Sequence, residues 1–217
     1  MKVYCPTPTA MMTQLGIANM LGIPANRVTV HVKRIGCNYG GKQVRALPQT
    51  FAVALAASIA GQPVRSVLTR TQDIMMTGQR GEFTGQYKVG VTDGRLTGVD
   101  YMLYKNGGWI SNASSDILLR AITRIDNCYK FPSFHAMGKV CRTNTPSNCT
   151  FRAYGAPPAF AITENMLFDV TLPLGLDPVE FRRQNFYKIW DKTHFGQVMT
   201  EDDVTFGICF EECIRRI

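Results

Sequence analysis

The sequence contains no Cys-x-x-Cys pair, and its three histidines, His31, His135 and His194, are scattered along the chain. Structural metal sites draw on closely spaced ligand pairs, so no protein-held metal is expected. Seven cysteines is an odd number, and they lie far apart: Cys209 and Cys213 are separated by one helical turn, Cys141 and Cys149 by seven residues. That excludes the paired framework of a small secreted domain, and free thiols in a reducing compartment are expected. The longest apolar run, Phe51 to Ala60, ends at Gly61 and is too short to span a bilayer. The opening residues Met1-Lys2-Val3-Tyr4-Cys5-Pro6 lack the apolar core of a signal peptide. The expectation is a soluble cytoplasmic protein without a membrane partner, in which the glycosylation patterns at Asn112 and Asn148 carry no weight.

Acidic residues are also missing where they would be noticed. Positions 1 to 70 hold eight Lys or Arg and no Asp or Glu, the first acid being Asp73. A segment this basic suits an anionic ligand or an acidic neighbour. Aromatics are not interleaved with the charge as a single-strand-binding surface requires, so nucleic acid is not expected as a partner. Hydrophobic residues at 45% and charged residues at 18% describe a globular chain.

Several elements follow from periodicity and punctuation. Met11, Ile17, Met20 and Leu21 recur at helical spacing over 10 to 21, with Thr9 as N-cap and Gly22 closing the helix. Val28, Val30 and Val32 alternate with Thr29, His31 and Lys33, which predicts a half-buried strand over 27 to 34. The run 51 to 60 reads as a buried alanine-rich helix and 64 to 68 as a strand. Segments 86 to 92 and 95 to 104 predict a hairpin around Asp93-Gly94. Helices are expected at 117 to 125, at 159 to 170, and after Asp177-Pro178-Val179-Glu180, where Asp, Pro and Glu stand at favoured starting positions. A further helix begins by Cys209, and the stretch from the 117 to 125 helix to Pro158 reads as loop. The sum is an α+β chain with sheets and helices segregated in lobes.

Three segments could carry chemistry. Gly36-Cys37-Asn38-Tyr39-Gly40-Gly41-Lys42-Gln43 follows a predicted strand and nearly fits a phosphate-binding P-loop. Gln43 fails as the magnesium-binding hydroxyl, and Pro48 interrupts the helix that should aim at the phosphate. Glycines there still let backbone approach a ligand and present its N–H groups. In Phe151-Arg152-Ala153-Tyr154, Arg152 offers a fork for anionic oxygens and Tyr154 a face for a flat ligand, or the two serve an ion pair and the core. Arg120 is a lone cation in the apolar run Leu118 to Ile122, either at the surface or buried beside an anion.

Taken together, these segments resemble the xanthine dehydrogenase and aldehyde oxidase family of molybdenum hydroxylases. The resemblance is carried by the glycine loop, by Arg120 ahead of Asp126-Asn127-Cys128-Tyr129-Lys130, and by Cys141-Arg142-Thr143-Asn144 running into Phe151-Arg152. Met20 to Arg27, Val32-Lys33-Arg34, Thr77-Gly78-Gln79-Arg80 and Cys209-Phe210-Glu211-Glu212-Cys213 extend it over nearly the whole chain.

The resemblance implies that residues 1 to 217 form part of the molybdenum-cofactor-binding domain of a hydroxylase oxidising purine-type heterocycles or aldehydes with water as oxygen source. The metal is then held by the dithiolene of a molybdopterin rather than by side chains, and electrons leave through 2Fe-2S clusters to FAD. Those domains are expected before Met1, and the segment with the catalytic glutamate after Ile217, in a full-length homodimer. The fragment alone is then inactive, with the rest of its polypeptide as partner, and no catalytic residue is assigned within it. By position, Tyr39, Gly40, Gly41 and Arg152 match the cofactor-binding region, and Gln43, Arg120 and Tyr154 the substrate site. Two positions depart. Gln43 replaces a glutamate of xanthine-oxidising members, and Pro8 replaces a glutamine that donates toward the metal's oxo group. The alternatives are a non-catalytic relative that keeps the fold without cofactor and, third, a P-loop-like nucleotide binder.

Overall fold

The computed structural model describes residues 1–217, the side chain of Thr77 excepted. The chain divides into two compact units. The first comprises Met1–Gly81, Gly107–Ser114 and Arg142–Ala153, and the second Glu82–Asn106, Ser115–Cys141 and Tyr154–Ile217.

In the first unit, β1 (Lys2–Tyr4) pairs in parallel with β2 (Thr29–His31), joined through helix α1 (Ala10–Leu21). Ile17 and Ala18 of α1 pack with Val28 and Ala54 in a small core. Gly22 at φ 65 closes α1, as its position predicts, and its N–H caps the helix. Thr9 precedes α1 but its side chain makes no capping bond, because its hydroxyl donates to the Gln43 carbonyl instead. The strand expected over 27 to 34 contracts to three residues, matching the short partner that β1 offers. His31 stacks on Tyr4 at 4.8 Å, so it lies against a ring rather than open on a polar face.

Helix α2 (Leu47–Ala60) carries Pro48 in its first turn, where a missing N–H costs nothing; the proline starts this helix rather than interrupting one. Its alanine-rich body is not buried: Ala54 is its one buried residue, and Ile59 is 79% exposed. No strand forms at 64 to 68. Helix α3 (Arg70–Thr77), which periodicity did not reveal, starts with a capping box between Thr69 and Gln72.

The second unit is built on a sheet of order β3-β4-β5: β3 (Phe83–Thr92), β4 (Arg95–Gly108) and β5 (Ser133–Arg142). β3 and β4 form the expected hairpin, with Asp93 at φ 50 and Gly94 at φ 72 supplying the left-handed pair of a tight turn. β5 occupies part of the stretch expected as loop; Phe134, Ala136, Gly138 and Val140 face inward in alternation. Tyr101 and Leu103 of β4 are fully buried at the centre of the core.

Two helices, α4 (Ser114–Ile122) and α5 (Ala156–Thr171), meet the sheet at glycines. A Cβ on Gly138 would lie 2.7 Å from Leu118, and one on Gly85 2.7 Å from Ile162. α6 (Pro178–Asn185) begins as its sequence predicts, with Asp177 accepting from the N–H groups of Val179 at 2.7 Å and Glu180 at 2.9 Å. α7 (Phe206–Arg216) lays Phe206 and Phe210 edge-on against Phe186.

Candidate cofactor and substrate site

The glycine loop of the first unit is a chain of left-handed residues: Cys37 at φ 47, Tyr39 at φ 41 and Gly40 at φ 92. Asn38 organises it, accepting from the Gly41 N–H with its carbonyl at 2.9 Å and from the Lys42 N–H with its side chain at 3.1 Å. Lys42 turns its ammonium back onto the Gly36 carbonyl at 2.8 Å, and the next helix starts at Leu47. A P-loop needs that lysine at the head of a helix aimed at phosphate, so this loop lacks the P-loop geometry.

The loop is docked instead on 147 to 152. The Thr150 hydroxyl donates to the Gly40 carbonyl at 2.8 Å, and the Arg152 N–H to the Tyr39 carbonyl at 3.0 Å. A Cβ on Gly40 would stand 2.3 Å from the Thr150 carbonyl oxygen, so both the contact and the φ require glycine. Ser147, Cys149 and Thr150 are buried, which makes this a fixed junction, whereas the Tyr39 ring is 63% exposed.

A second tier holds 147 to 152 from behind. Arg45 donates to the Ser147 carbonyl, the Cys149 N–H to the Gln79 carbonyl at 3.1 Å, and Arg80 to the Arg152 carbonyl at 2.6 Å. The Arg80 guanidinium lies 5.4 Å from the Phe151 ring centre, and Arg152 lies 5.7 Å from Phe151 and 6.0 Å from Tyr39. Burial holds the Arg80 pKa below its ordinary value. Arg45, Gln79, Arg80 and Thr150 received no role from the sequence. Thr77-Gly78-Gln79-Arg80 marked the segment, but its carbonyl contacts depend on the fold.

The first unit carries eleven Lys and Arg against a single acid, Asp73. Arg45 keeps a buried Nε with no hydrogen-bond partner. A cationic unit with a fixed glycine loop and an incompletely satisfied guanidinium fits an anionic, phosphate-bearing pterin. Among the described residues, no group of three or more His, Cys, Asp or Glu could hold a metal ion. The seven cysteines are free, and no helix is long and apolar enough to cross a membrane.

In the second unit, Arg120 stands exposed in the last turn of α4, where a cation complements the helix end. Tyr154 is half-buried at φ 58, just after Ala153 at φ 62. Gly155 brings these two residues into one neighbourhood: its Cβ would fall 2.1 Å from the Ile117 carbonyl oxygen and 2.7 Å from the Ala121 nitrogen. The loop carrying Tyr154 therefore lies directly on the helix turn carrying Arg120. Gln43, the third residue expected at a substrate site, is half-buried in the first unit, and Pro8 is exposed beside Thr9.

This arrangement is a fold already seen in molybdenum enzymes. Aldehyde oxidoreductase from Desulfovibrio gigas superposes with a TM-score of 0.85 over 99% of this chain and 23% of that one; at 23% identity the likeness concerns fold. A family model, the molybdopterin cofactor-binding domain, matches residues 1–186, and the chain belongs to that family. Xanthine dehydrogenase/oxidase of Felis catus is 41% identical over 215 residues, 99% of this chain. Nicotinate hydroxylase of Emericella nidulans is 38% identical over 203 residues, 93% of this chain. The chain spans only 16% and 15% of those two relatives.

Proposed function

We propose that this chain supplies cofactor-binding and substrate-binding residues of a molybdopterin-dependent hydroxylase of purine-type heterocycles or aldehydes. The observation that carries the reading is the junction of Gly40 with Thr150 and of Tyr39 with Arg152, which fixes the glycine loop within a strongly cationic unit. When bound, the molybdenum–pterin group supplies the two-electron oxidation and the activated oxygen from water. The chain's own residues bind and orient. Tyr39, Gly40, Gly41 and Arg152 line the cofactor side, with Arg152 held by its own backbone and by Arg80.

On the substrate side, Tyr154 offers a ring for a flat substrate, and the Arg120 fork takes a carbonyl or carboxylate oxygen and stabilises charge developing there. Gln43 can donate and accept a hydrogen bond but cannot transfer a proton at neutral pH, which favours substrates that need only orientation at that edge. The iron–sulfur and flavin groups and the general base belong to parts of the polypeptide outside residues 1 to 217. The whole protein works in the cytoplasm as a homodimer.

Pro8 and Gln43 favour a second reading, a non-catalytic relative that keeps the fold without cofactor, since proline has no side-chain donor or backbone N–H to offer an oxo group and glutamine cannot exchange a proton. One experiment separates the two. The full-length protein, with its cofactor content assayed, is given hypoxanthine, nicotinate and benzaldehyde in heavy-oxygen water. Oxidised product carrying the heavy oxygen supports the hydroxylase. Folded protein that carries no cofactor and oxidises none of them supports the second reading.

A further inference from the structure

The first unit contains a groove of about 1050 Å³, one wall of which includes Gly41 and Lys42 of the glycine loop together with Arg45. It lies over α2, whose Val53, Ala54 and Ala57 line it, and both β1 and the segment 62 to 68 contribute to its walls. Val64 to Leu68 has the composition of a strand, and the sequence predicts one there. In the structure these residues have no ladder, and no backbone hydrogen bond reaches them from the described residues. Val67 is 71% exposed, and the adjoining α2 leaves Leu55 and Ile59 at 42% and 79%. A five-residue segment of strand composition with no backbone hydrogen-bond partner, beside a largely apolar trough, can pair with an incoming strand.

We propose that this groove takes a β-strand from another part of the same polypeptide, laid over α2 and paired with Val64–Leu68. Three observations select that occupant. The unused edge asks for backbone donors and acceptors, which a covering helix cannot supply because its own are engaged. The α2 floor is alanine- and valine-lined, so the incoming strand presents small or β-branched apolar residues to it on alternate positions. The curated relatives run to about six times the length of this chain, leaving ample polypeptide to supply the strand. A second copy offering its own 64 to 68 edge would satisfy that edge and leave the groove over α2 open. This inference is independent of the substrate reading and stands or falls without it.

The test is residue-resolved hydrogen–deuterium exchange on the full-length protein. Pairing on one edge bonds every second N–H, so alternate amides of 64 to 68 should exchange about 100-fold slower, or more, than an unstructured peptide of the same sequence. The pattern should persist on dilution to the lowest measurable concentration. Exchange at unstructured rates throughout, or uniform protection without alternation, overturns the proposal. Protection lost on dilution assigns the groove to a second copy and overturns it equally.

Discussion

The Thr9 hydroxyl donates to the backbone carbonyl of Gln43 at 3.3 Å, across 34 residues of sequence. Pro8 and Gln43, the two departures from the hydroxylase pattern, are thereby tied to one spot rather than spread over the unit. Two changes in one place alter a local chemistry, here one donor and one proton-exchanging group, and leave the surrounding frame intact.

Restoring that chemistry is the first test. The double variant Pro8→Gln, Gln43→Glu of the full-length protein should raise kcat/KM for hypoxanthine by about tenfold or more, the scale of one or two well-placed hydrogen bonds. Gln43→Glu alone should change benzaldehyde oxidation much less than hypoxanthine oxidation. An equal effect of that single variant on both substrates would separate Gln43 from purine recognition.

Gly40→Ala should loosen the cofactor loop. The added methyl collides with the Thr150 carbonyl, and the φ of 92 disfavours any side chain. A stability loss of about 1–3 kcal/mol is expected, with a fall in bound pterin. Chemical denaturation and pterin fluorescence of the released cofactor measure the two. A variant with unchanged pterin content would show that the junction does not govern cofactor binding.

Gly155→Ala acts in the second unit. Its methyl would push the Tyr154 loop off the Ile117–Ala121 turn, at a cost of about 1–3 kcal/mol from overpacking. The predicted signature is a raised KM for heterocycles with pterin content retained. Loss of pterin with unchanged KM would place the effect on cofactor binding instead.

High pH should weaken the second unit. Burial is the main cause that pushes the hydroxyls of Tyr101, Tyr129 and Tyr187 above their ordinary pKa; Tyr129 also donates to Glu164 at 2.7 Å and Tyr187 to Asp126 at 2.8 Å. A raised folded pKa means the folded state holds the proton more tightly. The associated stability is present below about pH 10, the unfolded value, and is lost as pH rises toward the folded values. Phenolate absorbance should show a fraction of the eight tyrosines lagging, then titrating together with loss of near-ultraviolet dichroism. Smooth titration of all of them with the dichroism intact would contradict this.

The sequence was most readable where local chemistry alone decides structure. Asp93-Gly94 makes its turn through left-handed backbone, and Asp177 caps its helix through its own carboxylate. β5 was hidden because its inward positions include Ala136 and Gly138, which weaken the apolar alternation; Gly138 is there to admit Leu118, a partner in α4. The converse error at 64 to 68 has the same root: strand composition is visible locally, and the presence of a ladder partner is not. α2 reads as core because apolar residues fill it, yet most of that surface has no cover within residues 1 to 217. The candidate site residues Tyr39, Arg120, Arg152 and Tyr154 rest on family resemblance, not on local chemistry. The buttresses Arg45, Arg80 and Thr150 act on backbone carbonyls that only the folded chain brings within reach.

The measurement that bears most directly on the central claim is molybdenum and pterin content of the full-length protein purified from its native source. The account predicts both, in stoichiometric amounts with the polypeptide and lost together on denaturation. Fully assembled, folded protein lacking both molybdenum and pterin would contradict it, and would mean that the loop fixed by Gly40 and Thr150 preserves a fold whose cofactor has gone.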